Sequence, residues 1–180
     1  MISACDDRSG VAMKMLIVAA TTALVVSGGD VALAQSAMLR DSTGQIAGRP
    51  ISDTMMHVVV RPGVIAPALI RPVVDADGRV ASGLATWAAG GSVLFTSDDC
   101  TSGAHVYSTS HAGVRATSQL ETATGTTLYV GAIGNTRTVP VRSILYSSGC
   151  APVALQQSGL VPVDATVNLT TTYPPPLSIQ

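Results

Sequence analysis

Residues 68–87, ALIRPVVDADGRVASGLATW, decide the fold. Two apolar, β-branched runs at 68–74 and 79–87 flank Asp77 and Gly78. An Asp-Gly pair between such runs signals a hairpin with a type I′ turn, whose two central residues both take positive φ. Outward from this pair the pattern repeats. Short runs rich in Val, Ile, Thr and Tyr recur about every ten to twelve residues, broken by Gly, Pro, Asp and Ser, which is the spacing of an all-β chain. No segment holds helical apolar spacing for long. The expected strands are 56–61, 68–74, 79–87, 92–96, 105–108, 128–132, 138–145 and 161–169, with Gly134 and Asn135 turning the chain between Val130 and Val139. Pro62, Pro67, Pro72 and Pro140 each delete a ladder donor, so strands that hold them should be edges or contain bulges. The fold class expected is a single all-β domain, an antiparallel β-sandwich or barrel.

Ahead of this pattern, residues 13–34, MKMLIVAATTALVVSGGDVALA, read as a cleaved signal peptide. Lys14 supplies the cation, residues 16–26 the apolar run, and Ala32, Leu33 and Ala34 the small-x-small cleavage site. The run stops at Ser27, Gly28, Gly29 and Asp30, short of the ~20 apolar residues that span a bilayer. Gln35 follows the cut where a lipoprotein needs cysteine. Asp6 and Asp7 put negative charge ahead of the n-region, so Met13 is the expected start. The organisation expected is a signal peptide over 1–34, an N-terminal lead-in over 35–54, the β domain over 55–170 and a Pro-rich tail over 171–180. In that tail, Tyr173 and the three prolines after it read as polyproline II. The exported chain, about 145 residues, is long enough to bury a core. Its destination is the periplasm or the medium.

Cys5 precedes Met13, so the exported chain keeps Cys100 and Cys150. An even cysteine count in an exported chain reads as one disulfide, with two buried thiols as the alternative. Closing a loop of about 50 residues contributes at most roughly 4 kcal/mol. The spacing excludes a CxxC pair or a zinc knuckle. Setting aside Arg8, Lys14, Asp6, Asp7 and Asp30 leaves eight arginines and eight carboxylates. The arginines are dealt out singly, so no basic field exists for nucleic acid. Heavy use of Ala, Val, Gly and Arg with Lys14 as the one lysine suggests a GC-rich bacterial genome, in which the sequon Asn168-Leu169-Thr170 carries no glycan.

The order of FTSDDC at 95–100, HVY at 105–107, TLYVG at 127–131, a Val-rich hairpin, SSGC at 147–150, VDATVNL at 163–169 and PPPLSI at 174–179 resembles uncharacterised exported β-domains of bacteria with a paired-cysteine pattern. Some of those domains sit beside collagen-like or phage-tail-like regions. The resemblance covers residue 41 to the C-terminus and implies an exported all-β domain. Such domains have no assigned activity, so no site residue is carried over.

Catalysis must then be sought in the residues themselves. His57, His105 and His111, with Asp75, Asp77, Asp98 and Asp99, are enough in number for a zinc site. His-x-His on a strand, or His-x-x-x-His or HExxH on a helix, would bring two rings to one face, and none occurs. A serine hydrolase would show a G-x-S-x-G elbow, which is absent, and its serines fall in turn-like sequence. Glycoside hydrolysis needs two facing carboxyls, and Glu121 is the one glutamate. Asp75-Ala76-Asp77-Gly78 begins like a calcium loop, but the twelfth place is Thr86 instead of a bidentate glutamate. Ala89-Gly90-Gly91-Ser92 lacks the lysine and helix of a phosphate loop. Hence no catalytic, cofactor-binding or metal-binding residue and no cofactor is assigned.

Trp87 and Phe95 read as core, and Tyr107, Tyr129, Tyr146 and Tyr173 are too scattered for a binding strip. The expectation is an exported, disulfide-stapled, non-catalytic structural or binding module whose partner is an unknown protein or envelope component. Its mature chain holds no integral membrane segment, and homo-oligomers remain open through apolar faces and edge strands. One alternative is a secreted hydrolase or metal-dependent enzyme using His57, His105 or His111. Another is a fibre or appendage subunit.

Overall fold

Alternation of apolar and polar residues sets the strands, and Asp- and Gly-based turns set where they reverse. The computed structural model describes residues 37–109 and 114–180; the signal segment, the start at Met13 and His111 lie outside the described residues. The elements run β1 (Leu39–Arg40), β2 (Ile46–Pro50), β3 (Met55–Arg61), β4 (Val64–Val74), β5 (Val80–Trp87), β6 (Val93–Phe95), β7 (Ala104–Tyr107), β8 (Thr117–Thr122), β9 (Gly125–Gly131), β10 (Arg137–Tyr146), β11 (Gly149–Asn168), α1 (Leu169–Thr172) and β12 (Leu177–Ile179). The class is the all-β one expected. A closed antiparallel barrel has the order β1-β12-β5-β4-β3-β2, and a second sheet the order β10-β6-β7-β11-β9-β8.

Period-two alternation fills the barrel. Met56 and Val58 of β3, Ala66, Ala68 and Ile70 of β4, and Ala85 and Trp87 of β5 are all buried, while His57 between Met56 and Val58 is exposed. The alanines leave room for the Trp87 ring. A buried indole needs an acceptor, and Trp87 Nε1 donates to the Tyr173 carbonyl at 2.9 Å. The Tyr173 hydroxyl donates to Val59 O at 2.8 Å. Burial, and then the Asp41 charge, push that hydroxyl's pKa up.

The sequon tripeptide plugs this core. Asn168 Oδ1 accepts from Thr171 N at 3.0 Å and Asn168 Nδ2 donates to Thr124 O at 3.1 Å. Leu169 is buried in the barrel cluster and Thr170 Oγ1 accepts from Thr126 N at 2.9 Å. Asn at the N-cap satisfies an N–H that the first helical turn leaves free.

The lead-in and the tail are not peripheral. Residues 35–54 supply β1 and β2, and residues 171–180 supply β12, which pairs with β1 through Leu39↔Ile179 and with β5 through Leu177↔Ala85. The physical reason is closure. A β2-to-β5 meander alone would present two unpaired edges, and the two chain ends provide the strands that join them. Residues 173–176, expected as polyproline II, run beside the β1–β2 turn and lead into β12. Ser42 N donates to Pro174 O at 3.0 Å, and the Pro175-Pro176 peptide is cis.

The Asp77-Gly78 hairpin is in place, but its turn is longer than type I′. Asp75 N donates to Arg79 O at 2.9 Å, and Asp75 Oδ1 accepts from Asp77 N at 2.9 Å and Arg79 N at 2.8 Å. Gly78 has φ +78° and Asp77 has no positive φ, because the Asp75 side chain holds the middle of the loop. The β1–β2 turn repeats this chemistry. Asp41 N donates to Gln45 O at 3.0 Å, Asp41 Oδ1 accepts from Thr43 N and Gln45 N at 2.9 Å each, and Gly44 has φ +87°. Burial works to raise the Asp41 pKa, but the bonds from Thr43 and Gln45 outweigh it and hold the carboxyl below its ordinary value.

Pro72 and Pro140 lie beside register shifts, as a missing donor demands. Pro62 falls in the β3–β4 turn, and Pro67 on a stretch of β4 that β5 does not reach. β8 and residues 149–160 of β11 extend the strand set beyond the expected runs. β9 and β10 both pair with β11, so the turn at Gly134 and Asn135 joins strands that do not pair with each other. Within the second sheet the pairings run β10 to β6 to β7 to β11 and back to β10. β6 is accordingly buried on both faces, with Val93 and Phe95 in one cluster and Leu94 in another.

Leu177, fully buried at the closing strand, gives a direct check on closure by the C-terminus. Leu177→Ala should cost about 2–5 kcal/mol in urea unfolding; a midpoint shift worth under about 0.5 kcal/mol would show that β12 does not close the barrel.

Candidate functional site

β4 pairs with β5 from Ile70 onward, where Ile70 faces Trp87, so residues 64–69 have β3 on one side and lack β5 on the other. Gln119 of β8 takes up that edge. Leu69 N donates to Gln119 Oε1 at 2.8 Å, and Gln119 Nε2 donates to Leu69 O at 2.9 Å and also to Ala88 O. The Gln119 backbone meanwhile exchanges hydrogen bonds with Gly90, at 2.7 and 3.0 Å. Gln119 is 2% exposed. One buried residue thus bonds both the barrel and the crossover that leaves it.

The crossover, residues 88–91, runs hard against β8. A Cβ at Gly90 would lie 2.6 Å from Leu69 Cδ1, and one at Gly91, where φ is +100°, 2.8 Å from Ser118 Oγ. The paired glycines that look like the start of a phosphate loop serve this close approach.

Beside the junction lies a groove of about 640 Å³ between the outer face of β3 and β4 and residues 107–109 and 114–117. Met55, Pro67, Leu69, Val114 and Ala116 make most of its wall, with His57 and Tyr107 as polar-tipped rings. His57 faces outward because Met56 and Val58 take the interior positions. Two other depressions, of about 590 Å³ along Arg71, Thr86 and Pro176 and about 490 Å³ along Pro140, Arg142 and Leu155, are more open to solvent.

Arg115 stands in the groove wall. Its Nη1 donates to Asp164 Oδ2 at 2.6 Å and Gly131 O at 3.2 Å, while Arg61 Nη2 reaches Asp164 Oδ1 at 3.0 Å. The Arg115 hydrogen bond lowers the Asp164 pKa; burial works against it, and the Arg61 charge adds to the lowering.

The groove gathers His57 but not His105, whose Nδ1 lies 2.8 Å from Gly103 O. His111 lies outside the described residues. Among the described residues, no group of three or more His, Cys, Asp or Glu side chains is placed to hold a metal ion. Asp75 is engaged by its own turn, Asp99 Oδ1 accepts from Thr101 Oγ1 at 2.7 Å, and Asp98 lies 3.6 Å from Arg142 on the surface.

Cys100 and Cys150 are bonded, with Cα atoms 6.0 Å apart. The bond ties the β6–β7 loop to the tip of the β10–β11 hairpin. Cys100 N donates to Ser143 Oγ at 3.0 Å and that hydroxyl donates to Ser97 O at 2.6 Å, from a serine with 0% exposure.

Sequence reasoning missed Gln119 and Arg115. Nothing in TSQLET marks its glutamine as buried. The chain matches no protein family, no curated protein and no solved structure.

Gln119→Leu keeps the volume while leaving Leu69 N–H and Ala88 C=O without these partners; Leu69 C=O keeps the Ala88 N–H at 3.1 Å. At ~1–3 kcal/mol for each unmade bond at a dry site, a loss of about 3 kcal/mol is expected in urea unfolding. An unchanged midpoint would mean that the junction is held by packing alone.

Proposed function

We propose that the chain is an exported bacterial β-domain acting as a non-catalytic binding module, in the periplasm or outside the cell, with the groove beside Gln119 as its recognition surface. The observation that carries this reading is the groove itself. Its walls stand on paired strands and on the Gln119 bonds, its lining is mainly apolar with a few polar tips, and its volume of about 640 Å³ falls within the ~300–1,000 Å³ of small-ligand sites. The Cys100–Cys150 bond suits a compartment outside the reducing cytoplasm. No helix among the described residues is long and apolar enough to cross a membrane.

The test expresses the full chain in a bacterial host and recovers it from periplasm or medium, with mass spectrometry reading its N-terminus and disulfide. Isopropanol and phenol are then titrated while backbone amide shifts are followed. The expected result is an export-processed, oxidised chain in which both solvents perturb residues 55–57, 69 and 114–117 first. A chain held in the cytoplasm would overturn the export reading, and solvent perturbations spread evenly over the surface would overturn the groove as a recognition site.

A second reading, as a subunit of a fibre or appendage, is favoured by one feature of the barrel exterior. Val59 and Ile65 face each other across β3 and β4 and are 45% and 57% exposed. If that pair seats a second copy, sedimentation velocity of the purified chain shows a trimer or larger species that Ile65→Lys dissociates. A monomer at high concentration would end this reading.

A further inference from the structure

We infer that the groove takes an amphipathic anion, an acyl chain ending in a carboxylate, with the chain along Met55, Pro67, Leu69 and Val114 and the carboxylate at His57 and Arg115. This rests on the binding-module reading and adds the ligand class. Charge complementarity against an apolar wall selects this ligand class. Among the described residues that line the groove none is acidic, and His57 and Arg115 are its two nitrogen bases. Arg115 is not neutralised by its partner, because Asp164 is shared with Arg61 at 3.0 Å as well as with Arg115 at 2.6 Å. One carboxylate between two guanidinium groups leaves the trio with a net positive charge.

That charge sits where it is felt. The Arg115 side chain is only 15% exposed, so its field is screened less than that of a surface arginine. An ammonium in the same place would meet this field with no carboxylate among the described lining residues to pair with, and burying an unpaired charge is unfavourable. Sugar recognition is disfavoured from the other side. Stacking calls for aromatic platforms, and Tyr107 is the one aromatic among the described lining residues. His57 adds a ring N–H donor on an exposed, outward-facing strand position. The apolar wall supplies what an alkyl chain needs, and each methylene buried there raises affinity roughly fourfold.

The test uses the exported, oxidised chain and four probes below their micelle concentrations: laurate, decanoate, dodecanol and dodecylammonium. Calorimetry measures affinity and amide shifts report the location. Laurate is expected to perturb the segments around His57, Leu69 and Val114, to bind roughly fifteenfold more tightly than decanoate, and to bind at least tenfold more tightly than dodecylammonium. His57→Glu and Val114→Glu both change exposed positions. Each should melt as the parent does and weaken laurate at least fivefold, and His57→Glu, at the carboxylate end, should leave dodecanol unchanged. Equal binding of laurate and dodecylammonium would overturn the anion assignment and leave the binding reading standing. Laurate shifts confined to another surface, or laurate binding unaltered by both glutamate variants, would likewise overturn it. Failure of the binding reading looks different, since there the small solvents themselves show no preference for the groove.

Discussion

Leu69 sits where β4 loses its neighbour, and a strand that loses its neighbour inside a protein must find other partners for its N–H and C=O groups. The Gln119 amide offers a donor and an acceptor with the spacing of a peptide group: it accepts from Leu69 N and donates to Leu69 O, which also accepts from Ala88 N at 3.1 Å. The Gln119 backbone at the same time holds Gly90. A single buried side chain therefore continues the barrel's hydrogen bonding into the second sheet. The surface pair Arg71 and Glu121 spans the same two strands at 3.9 Å, but with both side chains more than half exposed it contributes little. The groove is a consequence of this junction: β5 departs at Trp87, β8 returns at Gln119, and the outer face of β3 and β4 beyond them is left as a wall.

The two sheets share a strand between their cores as well as a hydrogen-bonded seam. Leu128 and Val130 of β9 belong to the barrel cluster, while Tyr129 between them packs against the cluster of Val93, Phe95, Val106 and Leu120. Because side chains on a strand alternate faces, β9 acts as the partition between the two cores. The long β11 carries this arrangement further, pairing with β10 over its first part and with β9 over its last. The disulfide acts at the far end of the same strand, fixing the hairpin tip to a loop whose turn is already set by Ser97, Asp99 and Ser143. The cross-link joins segments that strand pairing has brought close, since Leu145 faces both Cys150 and Val93 in the ladders.

Legibility in the sequence followed length and alternation. β3, β4, β5, β9 and β10 are long and Val- or Thr-rich, so their period shows. β1 and β12 span two and three residues, too short for any period to register, and their existence depends on meeting each other from opposite ends of the domain. A local signal for the first of them was nonetheless present. Asp41-Ser42-Thr43-Gly44-Gln45 and Asp75-Ala76-Asp77-Gly78-Arg79 share Asp at the first place and Gly at the fourth, and both fold into the same Asp-held turn. A reader who understood the second as an Asp-held turn rather than a type I′ pair would have found the first hairpin too.

The groove was less legible because none of its makers announces itself. Gln119 is polar in a polar run, and its role depends on Leu69, fifty residues away, having lost a strand partner. Arg115 looks like any solitary arginine until Asp164 and Arg61 converge on one another from the second sheet and the barrel. Counting charges along the chain gave near neutrality, which is true of the whole and uninformative about the wall. What matters there is distribution: Asp41, Asp75 and Asp99 are occupied in turns, where backbone N–H groups hold them. Asp residues used to reverse the chain stay at loop ends, away from the strand faces that line the groove. The turn chemistry that closes the barrel thus keeps these carboxylates out of the groove wall, and none of the described lining residues is acidic.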